Sequence, residues 1–536
     1  MRPDTVPPAE LGSAMKTFEN RFQQLVDQRE LVGMAFAVVY GSETAYIRGL
    51  GVTGVEDYRL PVTPDTLFAI GSITKAVAAA TMMCLVEQQI LDLDRPIVEV
   101  IEGFAFEDKT NGRQVTLRHL LSHSSGLPAA GRNWALRGRD ALRTFVWEDL
   151  RVHQFVAPPG KVHIYSNTAI SSAAYVAEVV TGTPFDDLVR QLVFDPLDMQ
   201  RSTFDLAEAM TYPTALPHGH AEDGSLRVIH RLADNDMGHA SSFCFCSTHD
   251  LAKFAAALLM PGKLLRAETL YEMQTPVIGL HTSGANYPGA LMNAAYGLGL
   301  SVGEYRGSRL VRHGGMNQSY NCFMEIFPDQ QIAVVLQTNY MDDEGALNIL
   351  FELFDELLKP TPPLRPPAPA EIPYRADEYL AGEYLNPVKG IQTISANEGH
   401  LILNGEYPLT GIGEGRFYYQ IEELRFPVAF PDPGTLIVRG TPYHHLQRKT
   451  FEPDLAQWQA LVGVFIDPFT PYPEETAIHV RFAEDRIWIN DTAQEALSNN
   501  RFTSSDGLYE FLDEDTLQVC MGIRYVRRSR LQSLAS

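Results

Sequence analysis

Phe68-Ala-Ile-Gly71-Ser72-Ile-Thr-Lys75 is the stretch that decides how this chain is read. A short apolar run ends on glycine, and a serine and a lysine three residues apart then open an alanine-rich segment, Ala76 to Val86. The pattern predicts a helix over Thr74 to Gln89 with Ser72 at its first turn. There, free backbone N–H groups and the positive end of the helix dipole favour developing negative charge. Lys75 returns to the same face, within hydrogen-bond reach of the hydroxyl. Apolar surroundings lower the pKa of an ammonium, which makes a neutral amine available as a base. Two fixed positions in a tetrapeptide also arise by chance, as a helix cap followed by a surface lysine, so the rest of the chain has to decide.

Two further segments carry compatible chemistry. Pro158-Pro-Gly160 and then Tyr165-Ser-Asn167 precede a predicted helix, Thr168 to Thr181, and put a phenol and an amide at a loop-to-helix junction. A phenol beside an amine can relay a proton between nucleophile and leaving group, and an asparagine can orient the lysine and hold a substrate carbonyl. Arg312-His313-Gly314-Gly315-Met316 lies on a predicted strand, where glycines let a substrate backbone approach the edge closely. A backbone N–H just after such glycines, paired with that of the nucleophile, makes an oxyanion hole.

In that order, with about 90 and about 150 residues between them, Ser72-x-x-Lys75, Tyr165-x-Asn167 and His313-x-Gly315 resemble the three motifs of the serine β-lactamase and penicillin-binding-protein superfamily. Thr116 to Pro128 resembles the segment between the first two motifs, and Tyr296-Gly-Leu-Gly299 the strand before the third. The resemblance covers about residues 15 to 358. It implies Ser72 as nucleophile, Lys75 and Tyr165 as general base and acid, Asn167, His313, Gly314 and Gly315 on the substrate side, and the N–H groups of Ser72 and Met316 as the oxyanion hole. Many members carry lysine where this chain has His313, which is mostly neutral near pH 7, so a substrate carboxylate is less strongly demanded. With the architecture described next, the chain is similar to D-stereospecific aminopeptidases and D-amino-acid amidases. Esterases of the superfamily also replace the lysine, so an esterase or a β-lactamase-like hydrolase is the alternative, and a catalytically silent penicillin-binding-protein-like peptide sensor is the alternative of another class.

The length of 536 residues predicts about three domains. Residues 1–358 read as one α/β (α+β) serine β-lactamase-like unit, an antiparallel sheet flanked by helices that combines both ends of the segment. Predicted strands at Gly33 to Tyr40, Glu43 to Gly49, Leu310 to His313, Asn321 to Phe327 and Ile332 to Gln337 carry that reading, with terminal helices at Met15 to Gln28 and Gly345 to Leu358. Residues 359–373, KPTPPLRPPAPAEIP, read as an extended connector. After it the sequence repeats: Leu380 to Pro387 aligns with Leu461 to Pro468, Ile394 to Gly405 with Val480 to Asp491, and Thr435-Leu436 with Thr516-Leu517. Two small antiparallel β-barrels, 374–452 and 453–536, follow from that pattern.

Basic residues number 43 and acidic ones 66, a net charge of −23. Nucleic acid and anionic membrane surfaces repel such a chain, so a small molecule or short peptide is the expected partner, with a homo-oligomer possible. No cofactor is expected. The first twenty residues lack the apolar core of a secretory signal, and a cytoplasmic setting is the default. Five cysteines suit reduced thiols. Cys244 and Cys246 have no second pair nearby and read as buried structural thiols, and His119 and His123 as packing and capping groups rather than metal ligands. His218 and His220 read as solvated loop residues.

Overall fold

The computed structural model describes residues 8–529 apart from 29–30, 56–58, 129–135, 154, 222–223, 231, 233, 281–290, 341–343, 359–379, 467–476 and short gaps of up to three residues between 387 and 528. The proline-rich stretch 359–373 and Cys520 lie outside the described residues.

An eight-stranded antiparallel sheet frames the first part of the chain. Its order is Glu43–Gly51, Gly33–Tyr40, Ile332–Thr338, Tyr320–Phe327, Ser308–Asn317, Ser301–Tyr305, Leu291–Tyr296 and Ile278–Gly279. The apolar run Gly33–Tyr40 sits inside the sheet and pairs with Ile332–Thr338 from Met34↔Thr338 to Tyr40↔Ile332, uniting the two ends of the unit as expected. These strands are buried almost throughout because both faces of the sheet are covered. Phe36, Val38, Val334 and Leu336 pack toward the terminal helices Pro8–Asp27 and Glu344–Leu358. Ala37, Val39, Met324, Ile326 and Val335 face the larger helical layer, which holds Thr74–Glu87 and Asn167–Thr181. The sequence pattern predicts a strand only over Leu310 to His313, but the observed one runs Ser308–Asn317. Ser301–Tyr305 pairs along its first half and Tyr320–Phe327 along its second, so the ladder carries straight through the glycines.

Two nine-stranded antiparallel sheets follow, over Gly382–His445 and Gly463–Arg527, each curled into a nearly closed barrel around its own apolar core. Strand for strand, their order is the same. The repeat extends to register: Ile394 faces Leu403 in the first copy as Val480 faces Ile489 in the second. It also extends to a turn device. Asn404 and Asn490 adopt left-handed backbone (φ +54° and +45°), and their Oδ1 atoms accept the N–H of Thr393 at 2.9 Å and of His479 at 2.8 Å. Tyr384 and Phe465, aligned by sequence, are fully buried in their respective cores.

The solvated-loop reading of His218 is corrected. His218–His220 pairs with Leu226–Val228, His218 is buried, and its Nε2 accepts the N–H of Val55 at 3.1 Å.

Candidate active site

Gly71, in left-handed backbone at φ +51°, turns the chain from the strand Leu67–Ala69 into the serine turn Gly71–Ile73 and the helix Thr74–Glu87. A side chain there would stand 2.6 Å from the nitrogen of Met316, and one at Gly315 would stand 1.9 Å from the carbonyl oxygen of Ile70. The third-motif strand therefore lies directly against the serine turn, which brings the backbone of Met316 beside that of Ser72. Gly315 is required by that contact. Gly314 is not: a Cβ there would meet nothing closer than 3.8 Å.

Lys75 Nζ donates to Ser72 Oγ at 3.0 Å and to the carbonyl of Ser241 at 2.8 Å. The side chain is fully buried, and loss of water pushes its pKa well below the usual lysine value. The Tyr165 ring centroid lies 4.7 Å from the same Nζ, and its hydroxyl is near enough to Ser72 to feel that side chain. Burial of the hydroxyl raises the phenol pKa, with the Ser72 side chain acting in the opposite sense. The ring still leaves 38% of the residue's surface open. Hydroxyl, amine and phenol thus share one cluster, a geometry in which a proton can leave Ser72 and be handed onward.

His313 is buried on the other side. Its Nδ1 lies 2.6 Å from the Gly314 carbonyl and its Nε2 2.9 Å from the Tyr296 hydroxyl. A carbonyl only accepts, so the proton sits on Nδ1, and Nε2 accepts from Tyr296. Burial, with Lys75 nearby, pushes the imidazole down to about 3, so the third motif supplies no cation at neutral pH. Asn167 opens the helix Asn167–Thr181 behind the Ser166 cap. Its Oδ1 is buried and has no hydrogen-bond partner, so it does not hold Lys75 as the sequence reading expects. Ser241 does that instead, and a backbone carbonyl far away in the chain leaves no signal to find.

His123 is a packing group, and it packs against the cluster itself. His119 caps its helix with Thr116 as expected, but His123 takes left-handed backbone (φ +57°) and turns under the cluster. Its ring lies 4.4 Å from that of Tyr165 and 4.8 Å from that of Tyr296. Nδ1 accepts the N–H of Ser166 at 3.1 Å, so the proton is on Nε2, and burial pushes this imidazole down as well.

Among the described residues one group, Asp234, Asp236 and His239, has the spacing of a metal site. Burial alone would lower the His239 pKa, but hydrogen bonds to Asp186 and Asp234 raise it to about 9. Arg137 also pairs with Asp234 and Asp236. Arg137, Asp186 and His239 tie these carboxylates into an ion network.

The sequence profile of the β-lactamase family matches residues 18–353. The chain belongs to the β-lactamase family. It is 28% identical over 385 residues to penicillin-binding protein 4 of Amycolatopsis lactamdurans, covering 68% of this chain and 96% of that protein. It is 26% identical over 361 residues to unguisins hydrolase ungD' of Aspergillus campestris, covering 65% of this chain and 66% of that one. Over 224 residues it is 31% identical to esterase EstB of Burkholderia gladioli, covering 38% of this chain and 55% of that protein. Family membership and relatives named hydrolase and esterase make this β-lactamase-family chain a serine hydrolase. The crystal structure of SurE covers 81% of the chain and is itself covered completely, at TM-score 0.63 and 23% identity. An octameric penicillin-binding protein homologue from Pyrococcus abyssi matches the same share at TM-score 0.55 and 22% identity. These likenesses extend the shared fold beyond the family match into the C-terminal sheets. Among the described residues no helix is long and apolar enough to cross a membrane.

Proposed function

We propose that this β-lactamase-family protein releases N-terminal D-residues from short peptides or amides through an acyl-enzyme on Ser72. The observation that carries the mechanism is the buried Lys75 amine, 3.0 Å from Ser72 Oγ with its pKa lowered. Lys75 takes the Ser72 proton as Oγ bonds to the substrate carbonyl carbon. The N–H groups of Ser72 and Met316 receive the resulting oxyanion. Tyr165 passes a proton to the leaving amine as the C–N bond breaks, and water, deprotonated by the same pair, then hydrolyses the ester. The neutral His313 favours substrates without a carboxylate at that position, and the unpartnered Asn167 Oδ1 is an acceptor for a substrate N–H or ammonium. The D preference draws on a fold neighbour, SurE, whose structure was solved with D-Leu, at TM-score 0.60.

A hydrolysis panel tests this: D-amino-acid amides, their L counterparts, short-chain esters and a chromogenic cephalosporin. The expected result is a preference for D over L amides of about 100-fold or more. Equal rates on both would remove the aminopeptidase reading and leave the serine mechanism standing. An esterase is the second reading, favoured by the 31% identity to EstB, and the ester arm of the panel measures it.

The reading includes a catalytic unit over 1–358, a connector at 359–373 and barrel units over 374–452 and 453–536. Limited proteolysis should cut first within the connector. A homo-oligomer is also part of it, as the octameric neighbour suggests, and sedimentation velocity measures the assembly. A cytoplasmic setting agrees with the unbridged, buried thiols of Cys84, Cys244, Cys246 and Cys322.

A further inference from the structure

Side chains alternate across a strand, and in the first barrel Val428, Phe430, Leu436 and Val438 point into its core. Ala429 and Ile437, cross-strand partners between them, therefore face outward, where a barrel surface is ordinarily polar. Both are buried, with 5% and 2% of their surface exposed. What covers them is Ala157, Val162 and Ile164, the run that leads into Tyr165 and Asn167. The second barrel supplies the contrast. The same cross-strand pair there is Glu510 and Gln518, and it borders a cavity of about 390 Å³ lined also by Glu107, Asp108, His153 and Phe155. One copy meets the rest of the protein through a buried apolar contact, and the other across a cavity of mixed lining.

The segment under the first barrel has little regular structure of its own. Hydrogen bonds stitch one side of it to the stretch before Pro128: Val156 N–H to the Gly126 carbonyl at 2.8 Å, Gly160 N–H to the Ser124 carbonyl at 2.7 Å and Ile164 N–H to the His123 carbonyl at 2.7 Å. Its apolar side chains Ala157, Val162 and Ile164 belong to the small cluster shared with the barrel, while the His163 ring packs inward at 5.7 Å from His123 and 5.3 Å from Tyr296. The barrel contact adds a restraint on the outer face of this segment, and a loop restrained at more points samples fewer positions.

We infer that the first barrel is a working part of the active site, with Ile437 and Ala429 as positioning residues that hold the 157–164 segment and, through it, Tyr165. The inference rests on the catalytic role given above to Tyr165. In the full-length protein, Ile437→Asp should lower kcat by about tenfold or more while KM stays within about twofold, because misplacing a catalytic group slows chemistry rather than binding. Acylation of Ser72 by a fluorophosphonate should slow by the same factor. Ile437→Val should restore both, and Gln518→Asp on the second barrel should change neither. Should Ile437→Asp fail to fold, Ile437→Ala should give the same pattern at smaller amplitude. A kcat within about twofold of the wild type in both variants, or a change in KM alone, would overturn the inference, the latter being the behaviour of a lid. If the wild-type protein is not labelled at all, the serine mechanism has failed rather than the contact. Amide exchange over 160–166 then decides, and no acceleration in Ile437→Ala defeats the contact as a clamp.

Discussion

Lys75 and His239 are both buried, and both are tied to the short helix His239–Ser242, yet the fold gives them opposite charge states. Lys75 donates to a hydroxyl and to the Ser241 carbonyl, and among the described residues no carboxylate offsets its loss of water, so its pKa falls. His239 has Nδ1 2.8 Å from Asp186 and Nε2 3.4 Å and 3.5 Å from Asp234 and Asp236, and its pKa rises to about 9. Burial by itself makes a base. Burial among anions makes a fixed cation, which fastens the helix that presents Ser241 to the lysine.

Lys75→Met removes one side of this comparison. It should lower kcat by about 10³-fold or more in steady-state assays, with the protein still folded because a neutral chain of similar length fills the site. Asn167→Asp sharpens the comparison by adding an anion at the buried position beside Tyr165. The lysine pKa should rise, and the acidic limb of the kcat/KM profile should move up by about one pH unit, with an approximately tenfold loss on the acidic side of that limb. In the wild type that limb should lie well below the ordinary lysine value of 10.5. Asp186→Asn weakens the other side. Because the folded-state pKa of His239 is raised, its contribution to stability is complete below the free imidazole value of about 6.5 and is lost as pH rises through about 9. Melting curves of the wild type should decline across that window, and the variant should start lower at pH 6 by about 1–3 °C and decline less.

Local chemistry was legible in the sequence. Ser72 and Lys75 meet because three residues of helix bring them together, and the apolar runs at 33–40 and 332–338 announce the centre of the sheet. The barrel repeat was legible because turn residues such as Asn404 and Asn490 recur in step with the strands. What escaped is what distant segments supply. Ser241 contributes a carbonyl that any residue has, and Tyr296 fixes the His313 proton from another strand. The ion network around His239 gathers side chains from several segments that no spacing rule links. Gly315 was singled out for substrate approach, yet the contact that demands it is with Ile70.

The pairing of Gly33–Tyr40 with Ile332–Thr338 also sets the order of events during synthesis. An apolar strand made early has its hairpin neighbour Glu43–Gly51 at once, but its other edge stays open until some three hundred further residues have been translated. At ribosomal rates of about 5–20 residues per second that interval is roughly 15–60 s. Throughout it the nascent chain exposes the kind of edge on which aggregates grow, so holdase chaperones should be found on ribosome-bound chains shorter than the full first sheet.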